Sequence, residues 1–380
     1  MVSTVTNLGA ICDFVAGYAW KADLFTFDPE GLPVIRIQNL GDNENEKVAY
    51  WSRDFDNRFL IKNGDLLVSL SGSFKVVRWS GNNALLNQRI VKLEPAKNID
   101  QSWLCYFLTY SLDKISKLGR HALVSNVSLS DLKSLSVSIP TIEKQRRIVD
   151  ILSRAEGIVR LRREAQKKAA EIIPALFIDM FGDPATNPKG WPDHPLNQLA
   201  KFVSGGTPSK SREDFWQGNL PWVSPKDMKT DDISDSIDHI DEKVVTETSL
   251  KLIPTDSVLI VVRGMILAHT VPVARNLVPI TINQDMKAII PGASIIPVYL
   301  QWLLKVLQPK LLNEVSTAAH GTRKLETSCL EKLVIPIPSL EIQNDFAHRV
   351  AQIRSIQSQQ TSATLKSEAT FDALLGGFFQ

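Results

Sequence analysis

The chain has 380 residues, enough for two or three domains. Its formal net charge is only +2, so bulk attraction to nucleic acid is excluded and any such partner must be held by local patches. The cysteines Cys12, Cys105 and Cys329 form no C-x-x-C pair, which speaks against a disulfide framework or a zinc site and for reduced thiols. In chain order, residues 34–37, 65–70, 74–79 and 90–93 are short β-branched or apolar runs bounded by Gly, Asn and Asp, and are expected to be strands. Residues 102–118 and 130–133 read as helical. The order then repeats, with strands over 222–223, 258–262, 271–274 and 288–290 and a helix over 298–315. Each block is an α+β domain of ordinary size.

The repetition extends to individual residues. Ile139-Pro140-Thr141-Ile142-Glu143-Lys144-Gln145 returns as Ile337-Pro338-Ser339-Leu340-Glu341-Ile342-Gln343, 198 positions later. At that offset Leu132 meets Leu330, Ala175-Leu176 meets Ala373-Leu374, and Phe181 meets Phe379. Upstream the offset is 196, pairing Asn87-Gln88 with Asn283-Gln284, and then 188, pairing Gly17 with Gly205 and Leu32-Pro33 with Leu220-Pro221. Small steps in offset are what loop insertions leave in a duplicated gene, so a pseudo-two-fold molecule is expected, suited to a ligand with two halves.

A different pattern follows each block. From 143 to 173, apolar or small residues fall at helical 3/4 spacing, with Arg162 the polar intruder and Pro174 near the end, where a kink or stop is expected. The second copy runs Phe346, Val350, Ile353, Ile356, Ala363, Phe371, Leu374. About 30 residues at roughly 1.5 Å each make a rod of about 45 Å. Two such helices related by a two-fold perpendicular to their axes run antiparallel and place the two domains at opposite ends of a rigid spacer. The first helix carries nine cations (Lys144, Arg146, Arg147, Arg154, Arg160, Arg162, Arg163, Lys167, Lys168) against five acids, which is either a solvated face with i,i+4 pairs or a basic track for a partner.

Signatures of catalysis are missing. There is no G-x-x-x-x-G-K-[ST] phosphate loop, no G-x-G-x-x-G after a strand and no H-E-x-x-H, and the six histidines have no ligand spacing. The tetrapeptide Asn187-Pro188-Lys189-Gly190 departs from the Asn/Asp-Pro-Pro-aromatic string of amino-methyltransferases at its third and fourth positions. Asp241-Glu242-Lys243 has nuclease-like spacing but reads as a solvated charge run. The opening residues Met1 to Asn7 lack a basic region followed by an apolar core, and no apolar run reaches membrane-span length. A soluble, cytoplasmic, non-enzymatic protein is expected.

A globular block, I-P-T-I-E-K-Q, a long helix, Phe181-Gly182-Asp183-Pro184, a second block opening Phe202-Val203-Ser204-Gly205-Gly206-Thr207-Pro208-Ser209, I-P-S-L-E-I-Q and a second helix: this series resembles the specificity subunit of type I restriction-modification enzymes over essentially the whole chain. The resemblance implies an α+β fold with two duplicated target recognition domains separated by a pair of long antiparallel helices. It divides the chain into recognition domain 1 (1–140), spacer helix 1 (141–183), recognition domain 2 (184–338) and spacer helix 2 (339–380). It further implies that each domain reads one half of a bipartite site in double-stranded DNA, that the helices fix the gap and dock two methyltransferase (modification) subunits, and that restriction subunits join the full complex. No cofactor is expected on this chain; S-adenosylmethionine, ATP and Mg would sit on partner subunits. The segment Val15-Ala16-Gly17-Tyr18-Ala19-Trp20 departs from the pattern by lacking the Gly-Gly-Thr-Pro of the second block. The alternatives are a two-headed coiled-coil adapter for proteins only, or a fused methyltransferase or nuclease component.

Base-edge and phosphate contacts need Arg, Lys, Asn, Gln, Ser, Thr and close backbone approach. In the first block these are Lys75, Arg78, Asn82, Asn83, Arg89, Arg120, Ser125 and Asn126. In the second they are Gly206, Thr207, Ser209, Lys210, Lys226, Arg263, His320, Thr322, Arg323 and Lys324. The shared Asn87-Gln88 and Asn283-Gln284 pairs are expected to serve fold or phosphate rather than base choice, because two half-sites usually differ.

Overall fold

The computed structural model describes residues 4–41, 48–71, 74–118, 128–317 and 321–380. The first copy runs β1 (Thr4–Asn7), β2 (Cys12–Ala16), β3 (Leu32–Ile35), β4 (Ala49–Trp51), β5 (Leu60–Ile61), β6 (Leu66–Ser69), β7 (Val76–Arg78), β8 (Ala84–Leu86), β9 (Ile90–Pro95), α1 (Gln101–Leu118), α2 (Leu129–Ser134), β10 (Ser136–Ile139), α3 (Ile142–Ala169) and α4 (Ile172–Phe181). The second runs β11 (Asp193–Pro195), α5 (Leu196–Leu199), β12 (Ala200–Ser204), β13 (Leu220–Val223), β14 (Asp232–Ile233), β15 (Asp238–Ile240), α6 (Lys243–Glu247), β16 (Val258–Val261), β17 (Val273–Asn276), β18 (Thr281–Ile282), β19 (Met286–Pro291), α7 (Pro297–Val306), α8 (Gln308–Asn313), β20 (Val315–Thr317), β21 (Arg323–Leu325), α9 (Thr327–Glu331), β22 (Val334–Pro336) and α10 (Leu340–Phe379). The chain forms two compact units, Met1–Arg163 with Ser362–Gln380, and Glu164–Thr361.

In the first unit one sheet has the order β2-β9-β6-β7 and another β4-β3-β8-β5. Strand alternation assigns the side chains of β6 to two cores: Leu66 and Val68 pack with Trp103, Leu104 and Leu108 of α1, whereas Leu67 joins Val34, Leu85 and Trp51. That is why Leu66-Leu67-Val68, within the strand expected at 65–70, is a continuous apolar run rather than an alternating one. The second unit repeats the plan, with sheets β12-β19-β16-β17-β14 and β15-β13-β18. The registers correspond: Val34 faces Leu85 in a parallel pair, as Trp222 faces Thr281. The outer strands also match, β1 with β10 and β11 with β22, both antiparallel.

The helix expected over 298–315 is two helices, α7 and α8. Pro309, in the first turn of α8, lacks an amide N–H, and its ring would crowd the carbonyl of Lys305 in a continuous helix. The stop expected at Pro174 lies slightly earlier. The helix breaks at Ala170–Glu171 and restarts with Pro174 in the first turn of α4, a position where its missing donor costs nothing. At the matching position the second copy has Asp372, and α10 runs unbroken for 40 residues.

Each unit contains an antiparallel helix pairing of its own. In the first, Arg163 bonds Glu368 at 2.6 Å while Ile148, Ile151 and Phe378 line a common cavity. In the second, Gln166 bonds Thr361 at 3.2 Å and Gln357 donates to the Ala169 carbonyl at 2.7 Å. The helix ends are fastened by aromatic rings. Phe181 packs on Tyr299 and Phe346 at 4.8 and 5.3 Å between centroids. Its counterpart Phe379 packs on Trp103 and Phe107 at 6.0 and 5.9 Å.

The repeated I-P-x-x-E-x-Q string has one structural purpose. Gln145 is fully buried, donates through Nε2 to the carbonyls of Asn98 and Pro140 at 3.2 and 2.9 Å, and accepts at 2.7 Å from the Asp100 amide. Gln343 is equally buried and donates to Ser294 and Pro338 at 3.2 and 2.8 Å while accepting from Ile296 at 2.8 Å. Each glutamine thus ties the loop before α1 or α7 to the strand-to-helix junction. Gln145→Ala or Gln343→Ala leaves an amide and two carbonyls unpaired in the interior, and each should destabilise its own unit by about 3 kcal/mol. Urea unfolding of the full chain, followed by Trp fluorescence, should show the transition of the affected unit moving to lower denaturant.

Candidate nucleic-acid interface

Two turns stand at the same end of each domain, because they follow strands that run parallel. In the first unit, residues 36–39 follow β3 and residues 87–90 follow β8; in the second, 224–227 follow β13 and 283–286 follow β18. The backbone of these turns is the same in both copies. Arg36 N–H donates to Asn39 Oδ1 at 3.1 Å, as Ser224 N–H donates to Asp227 Oδ2 at 2.8 Å. Ile90 N–H donates to the Asn87 carbonyl at 2.9 Å, as Met286 does to Asn283 at 3.2 Å. Gly17 and Gly205 lie against these turns so closely that a Cβ would come within 2.0 Å of the Asn87 and Asn283 carbonyl oxygens. The duplicated glycines therefore serve the fold, since no larger residue fits against the turn.

In the second unit the turns open onto a concavity of about 830 Å³, lined among others by Lys210, Trp216, Trp222, Ser224, Lys226 and Asp285. This brings together Lys210 and Lys226, which are distant in sequence. The glycine-rich loop forms one wall: the Gly206 carbonyl accepts from the Trp222 indole at 2.9 Å, Thr207 donates to Gln284, and the Ser209 carbonyl accepts from the Trp216 indole at 3.3 Å. The aromatic and backbone contacts hold the loop, leaving Lys210 and Lys226 exposed.

A second group is joined to the first through the backbone. The Arg263 amide donates to the Asp285 carbonyl at 3.2 Å, and the Gly264 amide to Arg323 at 3.0 Å. Arg263 also bridges Lys324, so three cations from two segments share one edge. Arg323 donates to Thr317 Oγ1 at 2.9 Å and Lys324 pairs with Glu326 at 2.7 Å; Thr322 precedes them, half-buried. His320 lies outside the described residues. Met265 and Ile266, 66% and 43% exposed, stand beside these cations on a Gly264 turn of φ 136°.

The first unit's candidates are less concentrated. Arg89 is exposed on the 87–90 turn. Lys75 uses its ammonium on the Leu40 carbonyl at 2.6 Å, and Arg78 donates to Ser102 at 3.1 Å. Asn82 and Asn83 are exposed between β7 and β8, where the Asn82 carbonyl accepts from the Trp79 indole at 2.8 Å. Arg120, Ser125 and Asn126 lie outside the described residues. Sequence reasoning missed Asp285 and Trp216; the signal for Asp285 was the mismatch with Arg89 just after a shared Asn-Gln pair.

Asp241-Glu242-Lys243 stands at the start of α6, where Lys243 pairs with Asp214 at 3.0 Å. Hydrogen bonds from Arg212 and then Lys243 hold the Asp214 carboxyl well below the usual carboxylate range. The charge run is thus part of a surface ion-pair group. Among the described residues no group of three or more His, Cys, Asp or Glu is placed to hold a metal ion, and no helix is long and apolar enough to cross a membrane.

The long helices present a second surface. Ile148, Leu152 and Val159 of α3 are buried, but Ile158 and Leu161 are 50% and 58% exposed. In α10, Phe346 and Val350 are buried, but Ile356 and Leu365 are 55% and 61% exposed. Ile158 and Ile356 stand at matching positions of the two copies.

The profile of the family described as "Type I restriction modification DNA specificity domain" matches residues 3–171 and again 188–367. The chain belongs to this family of type I restriction-modification specificity subunits. It is 38% identical over 149 residues to the EcoR124I/EcoR124II specificity subunit of Escherichia coli, a match spanning 39% of this chain and 37% of that one. Against the EcoBI specificity subunit of Escherichia coli it is 22% identical over 416 residues, spanning 98% of this chain and 85% of that one. The crystal structure of the type I restriction-modification S subunit from M. genitalium shares the fold at a TM-score of 0.52 and 17% identity, covering 98% of this chain and 94% of that one. A chain from a type I R-M system solved for complex assembly and conformational transition shares it at 0.65 and 18%, covering 100% and 98%. The duplicated α+β architecture with long antiparallel helices is therefore that of a specificity subunit.

Proposed function

We propose that this chain is the non-catalytic DNA-reading component of a type I restriction-modification complex, each domain reading one half of a bipartite double-stranded site. The observation that carries this reading is the pairing of one duplicated backbone framework with two different sets of polar side chains at its turns. A bipartite ligand with unlike halves calls for that combination. Chemistry belongs to the partners: modification subunits would bring S-adenosylmethionine, and restriction subunits ATP and Mg. Among the candidate residues, Lys210, Lys226, Arg263, Arg323 and Lys324 of the second unit have the character of base-edge and phosphate contacts, as Arg89, Asn82 and Asn83 have in the first. The cytoplasm is the compartment where such a complex meets DNA.

The test is domain exchange. Replacing residues 184–336 with the matching domain of another family member should change one half of the methylated motif and leave the other intact, read by mapping methylated positions in genomic DNA. A change in both halves together would sink independent reading.

The exposed isoleucines at matching positions, Ile158 and Ile356, are proposed as two equivalent docking points for two modification subunits. Ile158→Glu or Ile356→Glu should reduce the bound modification subunits from two to one, and the double variant should bind neither. Light-scattering mass of the mixed complex reads the count directly.

Helix length is proposed to set the unread gap. Four residues inserted after both Gln166 and Thr364 add roughly 6 Å and about one turn, keeping each apolar stripe nearly in phase. At about 3.4 Å per base pair the preferred gap should lengthen by one or two base pairs, measured as methylation of synthetic sites with graded gaps.

A further inference from the structure

We infer that positions 89 and 285, with 38 and 226 beside them, are the base-reading positions that make the two half-sites different. The inference rests on the proposed reading of one half-site per domain.

The two copies hold these positions in the same backbone. The Arg89 carbonyl accepts from the Leu70 amide at 3.0 Å, and the Asp285 carbonyl accepts from the Val262 amide at 2.8 Å. The turns in which they stand are closed by the same hydrogen bond and pressed by the same glycine. Position 38 lies in the turn opened by Arg36, and position 226 in the matching turn opened by Ser224. Because β3 runs parallel to β8, and β13 to β18, both turns of a domain leave from the same sheet end. Lys226 and Asp285 accordingly line one concavity.

On this common backbone the side chains differ: Arg89 and Asp285 are opposite in charge, and neutral Gln38 stands where the second copy has cationic Lys226. The first domain presents Gln38 and Arg89, the second Lys226 and Asp285. A turn kept for phosphate binding would carry a cation in both copies, since a carboxylate beside phosphates is repelled. A carboxylate in a DNA-facing turn has a favourable partner in an exocyclic amino group, cytosine N4 above all, whereas arginine matches the paired acceptors of guanine and glutamine the acceptor and donor of adenine. The side chains therefore differ in the way base-edge readers for unlike sequences differ. Asp285 is half-buried, its amide donating to Asn283 Oδ1 at 3.1 Å and its carboxylate accepting from Asn283 Nδ2 at 3.5 Å, so the carboxylate stands beside the turn rather than dispersed in solvent. Arg89 is exposed.

The experiment uses the full chain assembled with its modification subunits and reads the preferred base at each position of the methylated motif. Asp285→Asn keeps the shape but adds a donor, and should weaken base preference at one position by about 10- to 100-fold, in the half changed by exchanging residues 184–336. Arg89→Gln should do the same at one position of the other half. Lys226→Gln, at an exposed site where folding is not at stake, should alter a second position in the same half as Asp285→Asn. Unchanged base preference in folded Asp285→Asn and Lys226→Gln complexes overturns the inference, as does an equal loss of affinity for every sequence, the mark of phosphate contacts. Failure of the wild-type complex to show a two-part motif would overturn the underlying reading instead.

Discussion

The fold depends on a buried carboxamide used twice. Gln145 and Gln343 each satisfy two carbonyls and one amide where a β-strand gives way to the helix of its domain and where the long helix begins. A buried backbone group without a partner is costly, so the loop before α1 or α7 and the start of α3 or α10 can be interior only while the glutamine is present. The clamp ties the start of each long helix to the loop of its own domain, and Ile-Pro on its upstream side restricts the approaching strand. A carboxylate at this position would lack the Nε2 donors, and a shorter amide would not span the loop.

The far end of each long element is fastened differently, by aromatic burial. Phe181 reaches Tyr299 and Phe346, and Phe379 reaches Trp103 and Phe107. Each unit thus contains the start of one long helix and the end of another. The clamp fixes one end through hydrogen bonds and the rings fix the other through edge-on packing, Phe181 being almost fully buried. The helix faces left over differ between the ordinary and the informative. The exposed faces carry polar residues and charges, among them the i,i+4 pairs Arg154–Asp150 and Arg349–Asp345, whereas Ile158 and Ile356 are exposed apolar residues repeated in register.

Duplication also separates structure from specificity inside the domains. Gly17 and Gly205 are shared by both copies because the backbone at Asn87 and Asn283 passes too closely for a side chain at the glycine. Beside them the residues differ freely: Arg89 against Asp285, Gln38 against Lys226. The loop between β6 and β7 spans 70–75, but its counterpart spans 262–272, and the longer version carries the exposed Met265 and Ile266 beside Arg263. Constraint sits in the turn geometry, and variation sits in what the turn presents.

The amino-acid sequence by itself determined the two-copy plan, the α+β class, a minority of the strands and the long amphipathic helices, because local periodicity and repeated strings report on these directly. The resemblance carried by Ile139 to Gln145, the second glycine-rich opening and their order pointed to the family. Helix ends were less legible: Pro309 splits α7 from α8, and Pro174 is absorbed into the first turn of α4, distinctions set by where a proline falls relative to the helix start. Only the tertiary structure decided that Gln145 is a clamp, that Phe379 packs beside Trp103, and that Lys210, Lys226 and Asp285 line one concavity. These residues are far apart along the chain, and their meeting depends on strand order and register, β3 beside β8 and β13 beside β18, which no local pattern encodes. The same limit explains why the bonds of Lys75 to the Leu40 carbonyl and of Arg78 to Ser102 are invisible in the sequence.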